Sequence, residues 1–162
     1  MNFIIDCEYE DEVYRKDAKE ENVIAWVSRV LENQGNENAE LSISFVGEET
    51  MTDLNQTWRS KEGPTDILSF VQADSQEEGD FWPEGEDEGC NVLGDMVICL
   101  SQAQKNSEKF NVSYTEEIQR LLIHGCLHLL GHDHKTNDVK TEPMLALQET
   151  ILLQLGGDLN WV

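Results

Sequence analysis

Apolar and polar positions along the chain change period from segment to segment, and each period names an element. Asn2-Phe3-Ile4-Ile5-Asp6-Cys7 alternates weakly and predicts a first strand. Val23, Ile24, Val27, Val30 and Leu31 recur at helical spacing, which predicts a helix over residues 17–34, ended by Gly35. Residues 40–46 set Leu41, Ile43 and Phe45 against polar neighbours, as a strand with one wet face does. Met51, Leu54, Asn55 and Trp58 return to helical spacing and predict a short helix over 48–58. After the Gly63-Pro64 turn, residues 65–71 read as a third strand and 92–100 as a fourth. A helix follows over 101–110. Ser113, with Glu116 three residues on, forms a capping box and opens the next helix. Ile118, Leu121, Leu122, Cys126, Leu129 and Leu130 give that helix a wide apolar surface, so it is expected to be central and largely buried. Gly131 stops it. Pro143 opens a last amphipathic helix with Met144, Leu147, Ile151 and Leu155 facing inward, closed by Gly156-Gly157.

The period is lost in residues 73–90, which hold eight acidic residues, three glycines and no basic residue. This stretch is expected to be a loop insertion within a single domain spanning 1–162. The chain carries a formal charge of −22, with 25 acidic and 6 basic side chains in residues 1–100 but five of each in residues 101–140. Such a balance argues for solubility and against unspecific attraction to nucleic acid. No run of 18 apolar residues exists, and the acidic N-terminus is unlike a signal peptide, so a cytoplasmic protein with no membrane partner is expected. Cys7, Cys90, Cys99 and Cys126 form no CxxC pair and read as reduced thiols.

Chemistry concentrates in the least acidic segment. His124 and His128 stand i and i+4 on one predicted helix, so their rings project from the same face. Gly131 lets the chain reverse and bring back His134 as a third ligand, with His132 as the alternative. Three imidazoles and a water make the open site of a catalytic zinc; a structural zinc would take four protein ligands. Asp133 is expected either to orient an imidazole or to cap the following turn.

The segment His124-Gly125-Cys126-Leu127-His128-Leu129-Leu130-Gly131-His132-Asp133-His134 resembles the signature of the YbeY family of bacterial rRNA maturation factors. Two more segments are similar to that family in the same order: Trp58-Arg59-Ser60-Lys61-Glu62-Gly63-Pro64-Thr65-Asp66-Ile67-Leu68-Ser69-Phe70 and Leu93-Gly94-Asp95-Met96-Val97-Ile98. The resemblance implies an α+β, zincin-like fold, a small mixed four-stranded sheet packed around a central metal-binding helix. It implies a single-strand-specific metallo-endoribonuclease acting in maturation of the 3′ end of small-subunit ribosomal RNA and in ribosome quality control. Carried over by position, His124, His128 and His134 match the metal ligands and Arg59 matches an arginine needed for activity. The length of 73–90 departs from the family pattern, as does Val71, where a proline often follows Ser-Phe.

A protease helix of this spacing carries its catalytic glutamate where this chain has Gly125. That disfavours peptide hydrolysis, which needs a general base and a protonated leaving group. A phosphodiester demands charge stabilisation instead. One divalent metal, expected to be zinc, could polarise a phosphoryl oxygen, and Arg59 could clamp the others, with Lys61 as a further phosphate contact. Gly125 is expected to leave room beside the metal for a phosphate. Asp66 and Asp95 are expected to be structural. Against the charge of −22, affinity for RNA would come from a locally basic cleft, from gating by the acidic loop, or from the ribosomal particle, for instance a basic ribosomal protein. The third is preferred. The competing readings are a non-catalytic ribosome assembly factor with a structural metal and a zincin-like hydrolase of amides.

Overall fold

The computed structural model describes residues 2–72, 91–157 and 161; the acidic stretch 73–90 lies outside the described residues. In chain order the elements are β1 (Asn2–Tyr9), α1 (Tyr14–Asp17), α2 (Glu20–Asn33), β2 (Asn38–Val46), α3 (Glu48–Arg59), β3 (Ile67–Val71), β4 (Asn91–Cys99), α4 (Leu100–Phe110), α5 (Tyr114–Leu129) and α6 (Pro143–Leu155). The helix expected over 17–34 is shorter at its start. Tyr9 Oη donates to the carbonyl of buried Ala18 at 2.5 Å, and Ala18 leaves the helical region. One turn, α1, is thereby separated from α2.

The sheet order is β1-β2-β4-β3. β1 pairs with β2 and β2 with β4 in parallel, while the edge strand β3 runs antiparallel to β4. The sheet is therefore mixed and four-stranded, as expected. Gly94 (φ +138°) makes the last pairing possible, since a Cβ there would collide with the Phe70 carbonyl across the ladder. Ala39, Leu41, Ile43 and Phe45 of β2 are buried in the main core, shared with α2, α4, α5 and α6. Leu68 joins Val46, Met51 and Cys99 in a second, smaller cluster.

Helix α5 is the centre of the main core. Its N-cap is the one foreseen: Ser113 Oγ accepts the Glu116 N–H at 3.0 Å. Ile118, Leu122, Ile123 and Leu127 are each 0% exposed. Each such burial stabilises the fold by about 1.5–3 kcal/mol. The helix packs on α2, α4 and α6 and on strands β3 and β4. At Gly125 it meets the sheet: a Cβ there would sit 2.8 Å from Met96 Sδ and 3.0 Å from Ile67 Cδ1. The space left by Gly125 is therefore taken up by helix–sheet packing, and no imidazole is among its nearest neighbours. The expectation that Gly125 opens room for a phosphate is corrected: its face of α5 is the sheet face, because position 125 is one residue (about 100°) round the helix from His124.

Restoring a protease-like glutamate tests this packing. Gly125→Glu forces a bulky, unpaired charge against Met96, and we expect a loss of at least about 3 kcal/mol in urea unfolding. An unchanged midpoint and slope would show that the helix does not need this close approach.

Candidate metal centre

Helix periodicity and one turn assemble three imidazoles. His124 and His128 project from the same face of α5, with ring centroids 4.6 Å apart. The helix then closes in a Schellman turn: Gly131 (φ +99°) donates its N–H to His128 O at 3.0 Å, and His132 N–H donates to Leu127 O at 2.9 Å. The reversal returns His134, whose ring lies 5.1 Å from that of His124 and 5.4 Å from that of His128. One ligand atom from each of the three rings lies within 4.8 Å of the other two, so the group could hold a metal ion.

Each ring is oriented by an oxygen that can only accept. His128 Nδ1 donates to the His132 carbonyl at 3.1 Å. His134 Nδ1 donates to the Thr136 carbonyl at 2.8 Å. His124 Nδ1 faces Gln148 Oε1 at 2.7 Å, and the amide is fixed in that sense because Gln148 Nε2 donates to Glu149 Oε2 at 3.1 Å. All three protons are thus placed on Nδ1, which leaves the Nε2 lone pairs bare. The Nε2 atoms of His124 and His128 stand 3.1 Å apart. Two lone pairs at that distance repel, and a shared cation relieves them. The donor set, three imidazoles, suits zinc and its neighbours.

Electrostatics act in the same sense. Burial first, then the adjacent rings, pushes His128 down to about 4. Burial first, with His134 adding, also pushes His124 downward, against the contact with Gln148. Both rings are therefore neutral at pH 7 and ready to ligate.

The remaining candidates fall into different roles. His132 contributes its backbone carbonyl to His128. Asp133 Oδ1 accepts the His134 N–H at 2.8 Å and so caps the turn. Asp66 accepts from Asn106 Nδ2 at 2.9 Å, and Asp95 accepts from Ser42 Oγ. Arg59 is the last residue of α3, before Ser60 in the left-handed region, and it is exposed. Arg59 and Lys61 line the same groove of about 790 Å³ as the three imidazoles. Neither makes an ion pair among the described residues.

Several groove residues escaped the sequence reading, Gln148 and Arg120 among them. Gln148, 7% exposed, reaches His124 from α6, 24 residues away, and no local pattern marks it. Arg120 carries a signal that was legible: Arg120, His124 and His128 recur at i, i+4 and i+8 on one face. Its guanidinium is tied to Glu117 at 3.0 Å, Glu149 at 2.9 Å and Glu116 at 3.3 Å. Glu117 is nearly buried, and desolvation raises its pKa despite Arg120. Three cations (Arg59, Lys61, Arg120) thus meet three carboxylates (Asp66, Glu117, Glu149) in the groove lining, in a chain with 11 basic and 33 acidic residues.

The depressed His128 value has a consequence for stability. The unfolded imidazole binds its proton near 6.5 and the folded one near 4, so stability is present above pH 6.5 and lost as pH falls toward 4. We expect His128→Gln to flatten that part of the pH profile of metal-free protein followed by thermal unfolding. A variant that keeps the parent slope would show that this ring is not held neutral.

The chain matches the family model described as endoribonuclease YbeY over residues 6–156. It is 38% identical over 125 residues to the endoribonuclease YbeY of Persephonella marina, covering 77% of this chain and 76% of that one. It is 35% identical over 150 residues to that of a Sulfurihydrogenibium species, covering 91% of both. The solution structure of TM1509 from Thermotoga maritima superimposes with a TM-score of 0.58 at 23% identity, covering 94% of this chain and 89% of that one, a likeness of fold. A match to the family model over residues 6–156, with relatives covered over most of their length, settles its kinship: the chain belongs to the endoribonuclease YbeY family.

Proposed function

We propose that this protein is a single-strand-specific, metal-dependent endoribonuclease, with one divalent ion, zinc, held by His124, His128 and His134. The observation that carries the proposal is that Nδ1 of each of the three rings faces a carbonyl oxygen, while one ligand atom from each ring lies within 4.8 Å of the others. When bound, such an ion supplies Lewis acidity and a water of lowered pKa. The chain supplies the rest. Arg59, exposed on the groove and without an ion pair among the described residues, is free to pair with a non-bridging phosphoryl oxygen as negative charge develops. Lys61 adds a point charge on the same wall. Arg120 pairs with Glu117 and Glu149 and so lessens the repulsion those two carboxylates exert on a phosphate.

The substrate we propose is the 3′ region of small-subunit ribosomal RNA, cut during its maturation and during ribosome quality control in the cytoplasm. Outside the groove the chain is strongly acidic. Docking to a ribosomal particle through a basic ribosomal protein would supply the affinity that long-range repulsion denies to naked RNA. No helix among the described residues is long and apolar enough to cross a membrane.

Arg59→Ala tests the catalytic half of this reading. Cleavage of single-stranded RNA is expected to fall roughly 100-fold, while metal content and the unfolding midpoint stay at parent values. Cleavage at the parent rate would remove Arg59 from the mechanism.

A further inference from the structure

We infer that Phe110 is a nucleobase-stacking platform at the rim of the metal groove. The inference rests on reading that groove as an RNA site. On α4, Leu100, Ala103 and Ser107 are buried, and Phe110 continues the same face three residues on. A large aromatic side chain in that position belongs under cover, yet Phe110 is 60% exposed. It lines the groove that holds His124, His128 and His134.

The occupant is set by charge and shape. The groove lining balances three cations against three carboxylates, where the chain as a whole is −22. Arg59 and Lys61 lie on that lining without ion pairs among the described residues, while its carboxylates are held by Arg120 and Asn106. Lys109 Nζ lies over one face of the ring, 5.3 Å from the Phe110 centroid. A ligand that is anionic along its backbone and flat and apolar in its side groups satisfies all of these. That ligand is a single-stranded oligonucleotide, whose phosphate meets the cations while an unpaired base stacks on the ring. A duplex keeps its bases stacked on one another and has none to offer. Phe110 therefore contributes to selection of single strands over duplexes, and the contact is sequence-tolerant because every base has a π-face.

The probe is a short single-stranded RNA with 2′-O-methyl riboses, carrying 2-aminopurine at successive positions. It is titrated at low ionic strength with the parent, Phe110→Ala and Phe110→Trp, and the fluorescence is read. Cleavage of the unmodified RNA is measured on the same samples. The parent is expected to quench 2-aminopurine at one register. Phe110→Ala should lose that quenching and roughly tenfold in kcat/KM on single strands. Metal content and the unfolding midpoint should not change, because the side chain is exposed. Phe110→Trp should restore both signals. Equal quenching and cleavage by Phe110→Ala would overturn the stacking role and leave the RNA reading standing. A parent that neither binds nor cleaves the RNA would overturn both.

Discussion

Three acceptor oxygens, one on a glutamine and two on the backbone, orient the three imidazoles. The carbonyls of His132 and Thr136 and the amide oxygen of Gln148 can only accept, so each imidazole must place its proton on Nδ1. Everything else at the centre follows. The Nε2 lone pairs of His124 and His128 face one another at 3.1 Å, a repulsive arrangement without a cation between them. Burial keeps both rings neutral, at the cost of stability in acid. A site of this kind is arranged for a ligand it does not itself supply.

The fold delivers those oxygens by ordinary means. The Schellman turn at Gly131 ends α5 and returns the His132 carbonyl to His128 in one step. Gln148 comes from α6, whose position depends on the apolar packing of Met144, Ile151 and Leu152 in the main core. Gly125 lets α5 approach Met96 of β4 and Ile67 of β3 closely. Without a glutamate beside the first histidine, the chain carries no protease-type base at that place, and the groove is equipped instead with guanidinium and ammonium groups suited to a phosphodiester.

What could be read from the residues was what depends on local period and on spacing along one helix. The first two strands and the central helix emerged because their apolar positions repeat at 2 or 3.6, the third strand from its apolar content after the Gly63-Pro64 turn, and Ser113 and Gly131 marked the limits of α5 correctly. The histidine triad was legible because two of its members share a helix face and the third follows a glycine turn. Contacts made across the fold were not legible. The break at Ala18 is made by the Tyr9 hydroxyl from the end of β1, and the direction of Gly125 is fixed by Met96 of β4. Gln148 looked like any polar residue on an amphipathic helix. Arg120 was within reach of the same i, i+4 reasoning as the histidines, and its role as the partner of the groove carboxylates needed only Glu149, from α6, to be seen beside it.

The charge of the molecule also takes its meaning from placement. Eleven basic and 33 acidic residues suggest a protein that avoids nucleic acid. The groove lining departs from that average, with equal numbers of each sign.

Zinc titration into chelator-stripped protein, with the bound metal counted by elemental analysis, tests the central claim most directly. The account predicts saturation at one ion per chain, and an affinity roughly 10- to 100-fold weaker in Gln148→Leu, which removes an orienting oxygen while leaving all three ligands in place. Absence of saturable binding in the parent, or parent-like affinity in Gln148→Leu, would contradict the claim that these oxygens set the site for a metal.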